Sequence, residues 1–196
     1  HIHAMTMTTR KIFLLLLVLA PLRMAAAGKT CPGVPWLGAV AACRKASGTK
    51  FIYNLCIGRM REDGVDMSPS HKQQVTAYII LATEDAANSY DSTTLVASNQ
   101  LDQNASLPGA VRDAYQGCLN DYSPAEDSLD RVAEALKSGC DFVGLADAYV
   151  SGMTSLENCR DRLLSLQQYK TPVYPMVLHD REKVSLAYML AKLLGI

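Results

Sequence analysis

Four stretches of this 196-residue chain repeat apolar residues every three to four positions, the period of an α-helix with one buried face. In the first, Val75, Ile79, Ala82, Ala86 and Ser89 share a stripe that extends through Val96. Ser68-Pro69-Ser70 ahead of it reads as a helix start. The second runs from about Leu107 to Leu136 and carries Val111, Tyr115, Cys118, Tyr122, Leu129, Val132 and Leu136. Pro124 inside it predicts an end or kink near Ser123, because proline has no N–H for the helical ladder. The third covers about Cys140 to Leu166, with Phe142, Leu145, Tyr149, Met153, Leu156, Cys159 and Leu163 on one stripe. The fourth covers Arg181 to Leu194 through Val184, Ala187 and Ala191. Breakers fall in the links Asp102–Ser106 and Thr171–Asp180. No stretch after the first 28 residues alternates convincingly at period two. The pattern predicts an all-α fold, an antiparallel up-down four-helix bundle over residues 67–196. Residues 29–66 hold three cysteines and only short helical stretches, which predicts a small helical hairpin strapped beside the bundle. Residues 29–196 then form one domain.

The first residues differ in kind. Arg10 and Lys11 precede the apolar run Ile12–Ala20, and Ala25-Ala26-Ala27 supplies small residues for cleavage. These are the parts of a secretory signal peptide, expected to be removed over residues 1–28. The run is far shorter than the roughly 20 residues that cross a bilayer, so no membrane anchor is expected. His1–Ala4, ahead of Met5 and Met7, reads as an upstream leader or a mis-set start. The ending Leu193-Leu194-Gly195-Ile196 is no retention signal, so secretion to the outside is expected. The chain balances 19 basic against 19 acidic residues. Removing Arg10, Lys11 and Arg23 with the leader leaves 16 basic, a net charge near −3. No basic patch stands out, which argues against a nucleic-acid partner.

Secretion changes the meaning of the six cysteines, since thiols oxidise outside the cell. Cys118 and Cys159 lie on the stripes of different helices, which antiparallel packing can bring within bonding reach. Closing that loop of about 40 residues stabilises by roughly 3–4 kcal/mol on chain-entropy grounds. Cys43 and Cys56 flank the polar turn Ser47-Gly48-Thr49 and are natural partners. Cys31 and Cys140 can bond each other, bond another chain, or stay free. Six cysteines allow 15 full pairings, and sequence does not choose among them. No Cys-x-x-Cys or His-x-x-x-His lies near them, so neither a metal nor a redox site is expected.

A search for catalysis finds no Gly-x-Ser-x-Gly elbow, no His-Glu-x-x-His and no phosphate loop. His71 and His179 sit in polar, linker-like surroundings and read as solvated. Glu84-Asp85 and Glu126-Asp127 are adjacent pairs whose side chains diverge around a helix, which reads as a solvated face. No catalytic residue and no cofactor is expected. Tyr78, Tyr90, Tyr115, Tyr122 and Tyr149 lie on or beside the stripes, some of them as core residues with the hydroxyl at the rim; an exposed subset would suit an interface. Asn104-Ala105-Ser106 is an acceptor sequon for N-glycosylation in an expected surface loop.

In order, these pieces resemble the plant invertase and pectin methylesterase inhibitors. The resemblance rests on a cysteine hairpin ending Tyr53-Asn54-Leu55-Cys56-Ile57, and on Tyr115-Gln116-Gly117-Cys118-Leu119-Asn120-Asp121-Tyr122. It continues in Leu156-Glu157-Asn158-Cys159-Arg160-Asp161 and a closing helix ending Leu186-Ala187-Tyr188-Met189-Leu190-Ala191-Lys192-Leu193-Leu194-Gly195. Within the family the chain is most similar to the plane-pollen allergen type. The resemblance implies a four-helix bundle with an N-terminal hairpin, and bonds Cys43–Cys56 and Cys118–Cys159. It also implies a non-enzymatic protein, monomeric when free, whose partner is a secreted pectin methylesterase or acid invertase met in the apoplast and inhibited by steric occlusion. A non-inhibitory binding, signalling or abundant pollen or seed protein is the alternative. The family's Pro-Lys-Phe segment, which enters the invertase cleft, corresponds here to Pro108-Gly109-Ala110, without the lysine and phenylalanine. Arg162-Leu163 stand where the family often has Gly-Phe, and Cys31 and Cys140 lie outside its four-cysteine core.

Overall fold

The computed structural model describes residues 30–166 and 171–196; the expected leader lies outside them. The described elements are β1 (Trp36–Leu37), α1 (Ala39–Ala46), α2 (Lys50–Glu62), β2 (Gln73–Gln74), α3 (Val75–Gln103), α4 (Gly109–Ser138), α5 (Leu145–Leu164) and α6 (Val173–Ala191), with a 3-10 turn at Lys192–Leu194. Each long helix buries its stripe against the next: α3 packs on α4 and α6, and α5 on the same two. The result is a disulfide-braced, up-down bundle with its core on the ring axis. Helices α1 and α2 pair with each other and lie against α6. Helix α6 is therefore covered from two sides. It buries Asp180 and Lys183 as well as Val177, Val184, Leu186 and Leu190.

Four expected boundaries shift, each for a local reason. Helix α3 starts at Val75 rather than at Ser68-Pro69-Ser70. Gln73 and Gln74 are held in a two-residue antiparallel pairing with Leu37 and Trp36, and the Val75 N–H donates to the Pro35 carbonyl. Pro124 neither ends nor splits α4. The carbonyl it orphans belongs to Asn120, and both residues are exposed, so water can take the missing donor's place. Helix α5 begins at Leu145, because Gly144 turns the chain through φ +78. The expected link over 171–180 is mostly helix. Pro175 sits in the first turn of α6, where no N–H is needed, and the Tyr174 N–H is capped by the Thr171 hydroxyl at 3.0 Å.

The centre of the bundle is polar. The Asp180 carboxylate is fully buried and accepts from the Ser89 hydroxyl at 2.5 Å, the Thr93 hydroxyl at 2.7 Å and the Tyr122 hydroxyl at 2.5 Å. Among the described residues no cation pairs with it. Tyr90 packs edge-on against Tyr122, with centroids 5.3 Å apart. All five stripe tyrosines are buried outright; the hydroxyls of Tyr90, Tyr122 and Tyr149 sit inside the bundle, whereas that of Tyr78 lies part-covered at the seam with β1. Tyr149 meets the Thr83 hydroxyl at 2.6 Å, and Tyr78 donates to the Leu37 carbonyl at 3.0 Å. Burial pushes the phenols of Tyr78, Tyr90, Tyr122 and Tyr149 above the ordinary value of 10, and the charge of Asp180 adds to this at Tyr90 and Tyr122.

Two outcomes follow. Asp180→Ala strips three charge-assisted hydrogen bonds and lowers unfolding free energy by about 3–5 kcal/mol, read as a drop in the urea midpoint; an unchanged midpoint would refute the role. The tyrosines keep their proton in the folded state, so their stability term is intact below about pH 10 and is lost as pH rises beyond it. Phenolate absorbance in an alkaline titration should show Tyr90, Tyr122 and Tyr149 ionising only together with unfolding.

Candidate functional site

The described residues contain no catalytic constellation. His71 lies in a loop beside Asp66. His179 is on helix α6 rather than in a linker, beside Glu182. Among the described residues no three His, Cys, Asp or Glu side chains converge to hold a metal ion, and no helix is long and apolar enough to cross a membrane. The adjacent carboxylates are not simply a solvated face. Asp85 is nearly covered and gripped by Arg59 of α2 and by Lys183 Nζ of α6 at 3.1 Å, while Glu84 pairs with Lys137 of α4. Glu126 is held above the usual carboxylate range by burial, with Asp91, Asp130 and Asp127 adding to it.

The longer sequence motifs turn out to brace the core. In the segment 115–122, Cys118 bonds Cys159 and Tyr122 reaches Asp180. The Arg162 stem lies across Gly117, where a Cβ would come within 2.8 Å of it. Its Nε then donates to Asp121 Oδ2 at 2.7 Å. Arg162 thus ties α5 to α4 beside the disulfide, and Leu163 behind it is buried. Glu157 in the next motif holds Arg160 and reaches Arg181 on α6. Cys43 bonds Cys56 across the α1–α2 hairpin, and Cys31 bonds Cys140, joining the segment before β1 to the loop after α4.

What remains free for a partner is the surface, and one corner of it is built firmly. Between α3 and α4, Leu107 is buried as an anchor, and its N–H donates to the Asn104 carbonyl at 3.2 Å. Arg112 reaches back from α4 to the carbonyls of Leu101 and Asn104 at 3.4 and 3.3 Å. The Pro108 carbonyl accepts from the N–H groups of Val111 and Arg112, both at 3.0 Å. Pro108, Gly109 and Ala110 are all exposed, small and uncharged. Asn104 is half-buried, with Oδ1 accepting from the Ser106 hydroxyl at 2.8 Å. Leu164 closes α5 at this end of the bundle and is 52% exposed; Leu95, about two turns from the end of α3, is 61% exposed. The corner thus pairs a fixed backbone with small, uncharged side chains. Among the described residues the exposed large aromatics are Trp36 and Phe51, which the sequence stripes did not mark.

Two solved structures share this fold. A mutant form of a pectin methylesterase inhibitor from Arabidopsis aligns with TM-score 0.63 over 79% of this chain and 96% of its own, at 14% identity. A pectin methylesterase inhibitor from Arabidopsis thaliana aligns with TM-score 0.56 over 79% and 93%, at 16% identity. No family model and no curated protein matches the sequence. The likeness is one of fold, at low sequence identity.

The bracing role of the motifs is measurable. Cys118→Ser should destabilise by about 2–5 kcal/mol in chemical denaturation, with helicity retained. A melting temperature equal to the parent's would exclude that role.

Proposed function

We propose that the chain is a secreted, plant apoplastic inhibitor of a cell-wall carbohydrate-active enzyme, with pectin methylesterase the target ahead of acid invertase. The observation that carries this reading is the fold likeness, which takes in 96% of a pectin methylesterase inhibitor chain. Pectin methylesterase is placed first because both fold relatives are inhibitors of that enzyme and the corner lacks the Lys-Phe pair of the invertase-blocking segment. The quoted cysteine motifs support the plane-pollen allergen type within that family. Inhibition is steric: a rigid monomer covers the target's cleft through a contact of roughly 1,600 Å² in total, with little backbone change on docking. Pro108, Gly109 and Ala110 belong to that contact, and Asn104 beside them carries a glycan. The cystine pairs hold the bundle in shape for this role.

A titration of the oxidised protein against plant pectin methylesterase and acid invertase at apoplastic pH tests the reading. Loss of methylesterase activity at micromolar protein is expected. Activity retained by both enzymes would favour the second reading, a non-inhibitory extracellular binding module, which the missing Lys-Phe already suits. Gly109→Arg has open space around its new Cβ, so it should keep the melting temperature. It should weaken inhibition about tenfold or more, equivalent to about 1.4 kcal/mol. Unaltered inhibition would remove this corner from the interface.

A further inference from the structure

The charges of the domain are segregated. Residues 30–61 contain Arg44, Lys45, Lys50, Arg59 and Arg61 and no acidic residue. All 19 acidic residues follow, from Glu62 onward, against ten basic ones, so residues 30–61 carry about +5 and residues 62–196 about −9; helices α1 and α2 together, with Glu62, carry about +4. The near-neutral total hides this split. Of the five hairpin cations, Arg59 is neutralised by Glu62 and Asp85. Among the described residues Arg44, Lys45 and Lys50 form no ion pair, and all three are exposed at the hairpin tip.

The tip has shape as well as charge. Arg44, Lys50 and Tyr53, with the turn Ser47-Gly48-Thr49, surround an open depression of about 430 Å³. The Cys43–Cys56 bond clamps α1 to α2 directly behind it, so the spacing of the cations is set before any partner arrives. The Thr49 hydroxyl accepts from the Ile52 N–H and keeps its own proton free to donate.

We propose that this tip binds a linear, carboxylate-bearing glycan, a polyuronate. Arg and Lys supply donors for carboxylates, with the Arg fork matching a carboxylate in two-point geometry. The Tyr53 ring offers an apolar face for the C–H side of a sugar, and the turn offers polar partners for its hydroxyls. The anionic bundle behind the tip selects for thinness. A bulky acidic protein approaching the cations also meets the negative body, whereas a single polymer strand touches the tip alone. The choice of uronate among polyanions rests on the cell-wall reading above; the site itself does not.

The test is calorimetric titration of the disulfide-bonded protein with polygalacturonate, fully methyl-esterified pectin and dextran at low and high salt. Polygalacturonate should bind at low salt and weaken as salt screens the contact, while the two uncharged polymers should not bind. The Arg44→Ala/Lys45→Ala/Lys50→Ala variant should bind at least tenfold more weakly with an unchanged melting temperature, and Lys45→Arg/Lys50→Arg should keep the affinity. Methylesterase inhibition by the triple variant should equal the parent's, so failure of the glycan site and failure of the inhibitor reading are read separately. Undiminished binding by the triple variant would overturn the proposal. So would equal binding of dextran, or salt-sensitive self-association through the tip with no glycan taken up.

Discussion

The Asp180 carboxylate fixes the arrangement of the bundle. It sits on α6 and takes its donors from Ser89 and Thr93 on α3 and from Tyr122 on α4. Such a charge adds little net stability over an apolar side chain of equal size, because its desolvation offsets most of what the hydrogen bonds return. Its effect is on register. A slip of any of the three helices leaves a bare charge or a bare hydroxyl in the core, and either costs more than the packing of one turn restores. The edge-on Tyr90–Tyr122 pair closes the knot against water.

Around that point the remaining braces are peripheral and divide the work by element. Cys118–Cys159, with Arg162 and Asp121 beside it, locks α4 to α5, the side of the ring that Asp180 does not reach. Asp85, held by Arg59 and Lys183, draws α2 onto α3 and α6. At the other end of the molecule, Gln74 meets the Cys31 backbone twice, at 2.7 and 2.6 Å, and Cys31–Cys140 adds a covalent tie to the same place. The hairpin is thus fastened at its base and flank, leaving its tip in solvent.

Helical periodicity made the four long helices and the all-α class legible in the sequence, because burial of one face repeats at 3.6 residues whatever the partner. Boundaries were less legible, since they depend on which backbone groups find partners in space. Pro124 looked like a break but stands on the wet side of α4, and Pro175 looked like a linker residue but falls where a helix needs no donor. Asp180 was assigned to a polar link because an aspartate beside His179 carries no local sign of burial; its three donors are 58 to 91 residues away. The stripes placed the tyrosines in the core, but the inward hydroxyls of Tyr90, Tyr122 and Tyr149 were hidden for the same reason. The corner at Pro108–Ala110 was marked only by family resemblance, and its clamping by Arg112 could not be read from spacing.

The proposed function rests on rigidity more than on reactivity. A core pinned at Asp180 and braced by cystines holds the α3–α4 corner in one shape, so under the proposed inhibitor role the target would meet a surface that needs no ordering on contact. Hydrogen–deuterium exchange of the protein alone and mixed with pectin methylesterase measures this most directly. New protection should appear in and next to residues 101–112, while amides flanking Ser89, Thr93, Tyr122 and Asp180 exchange equally slowly in both samples. Changed exchange around Asp180, or no added protection at the corner, would contradict a rigid bundle that docks through that end.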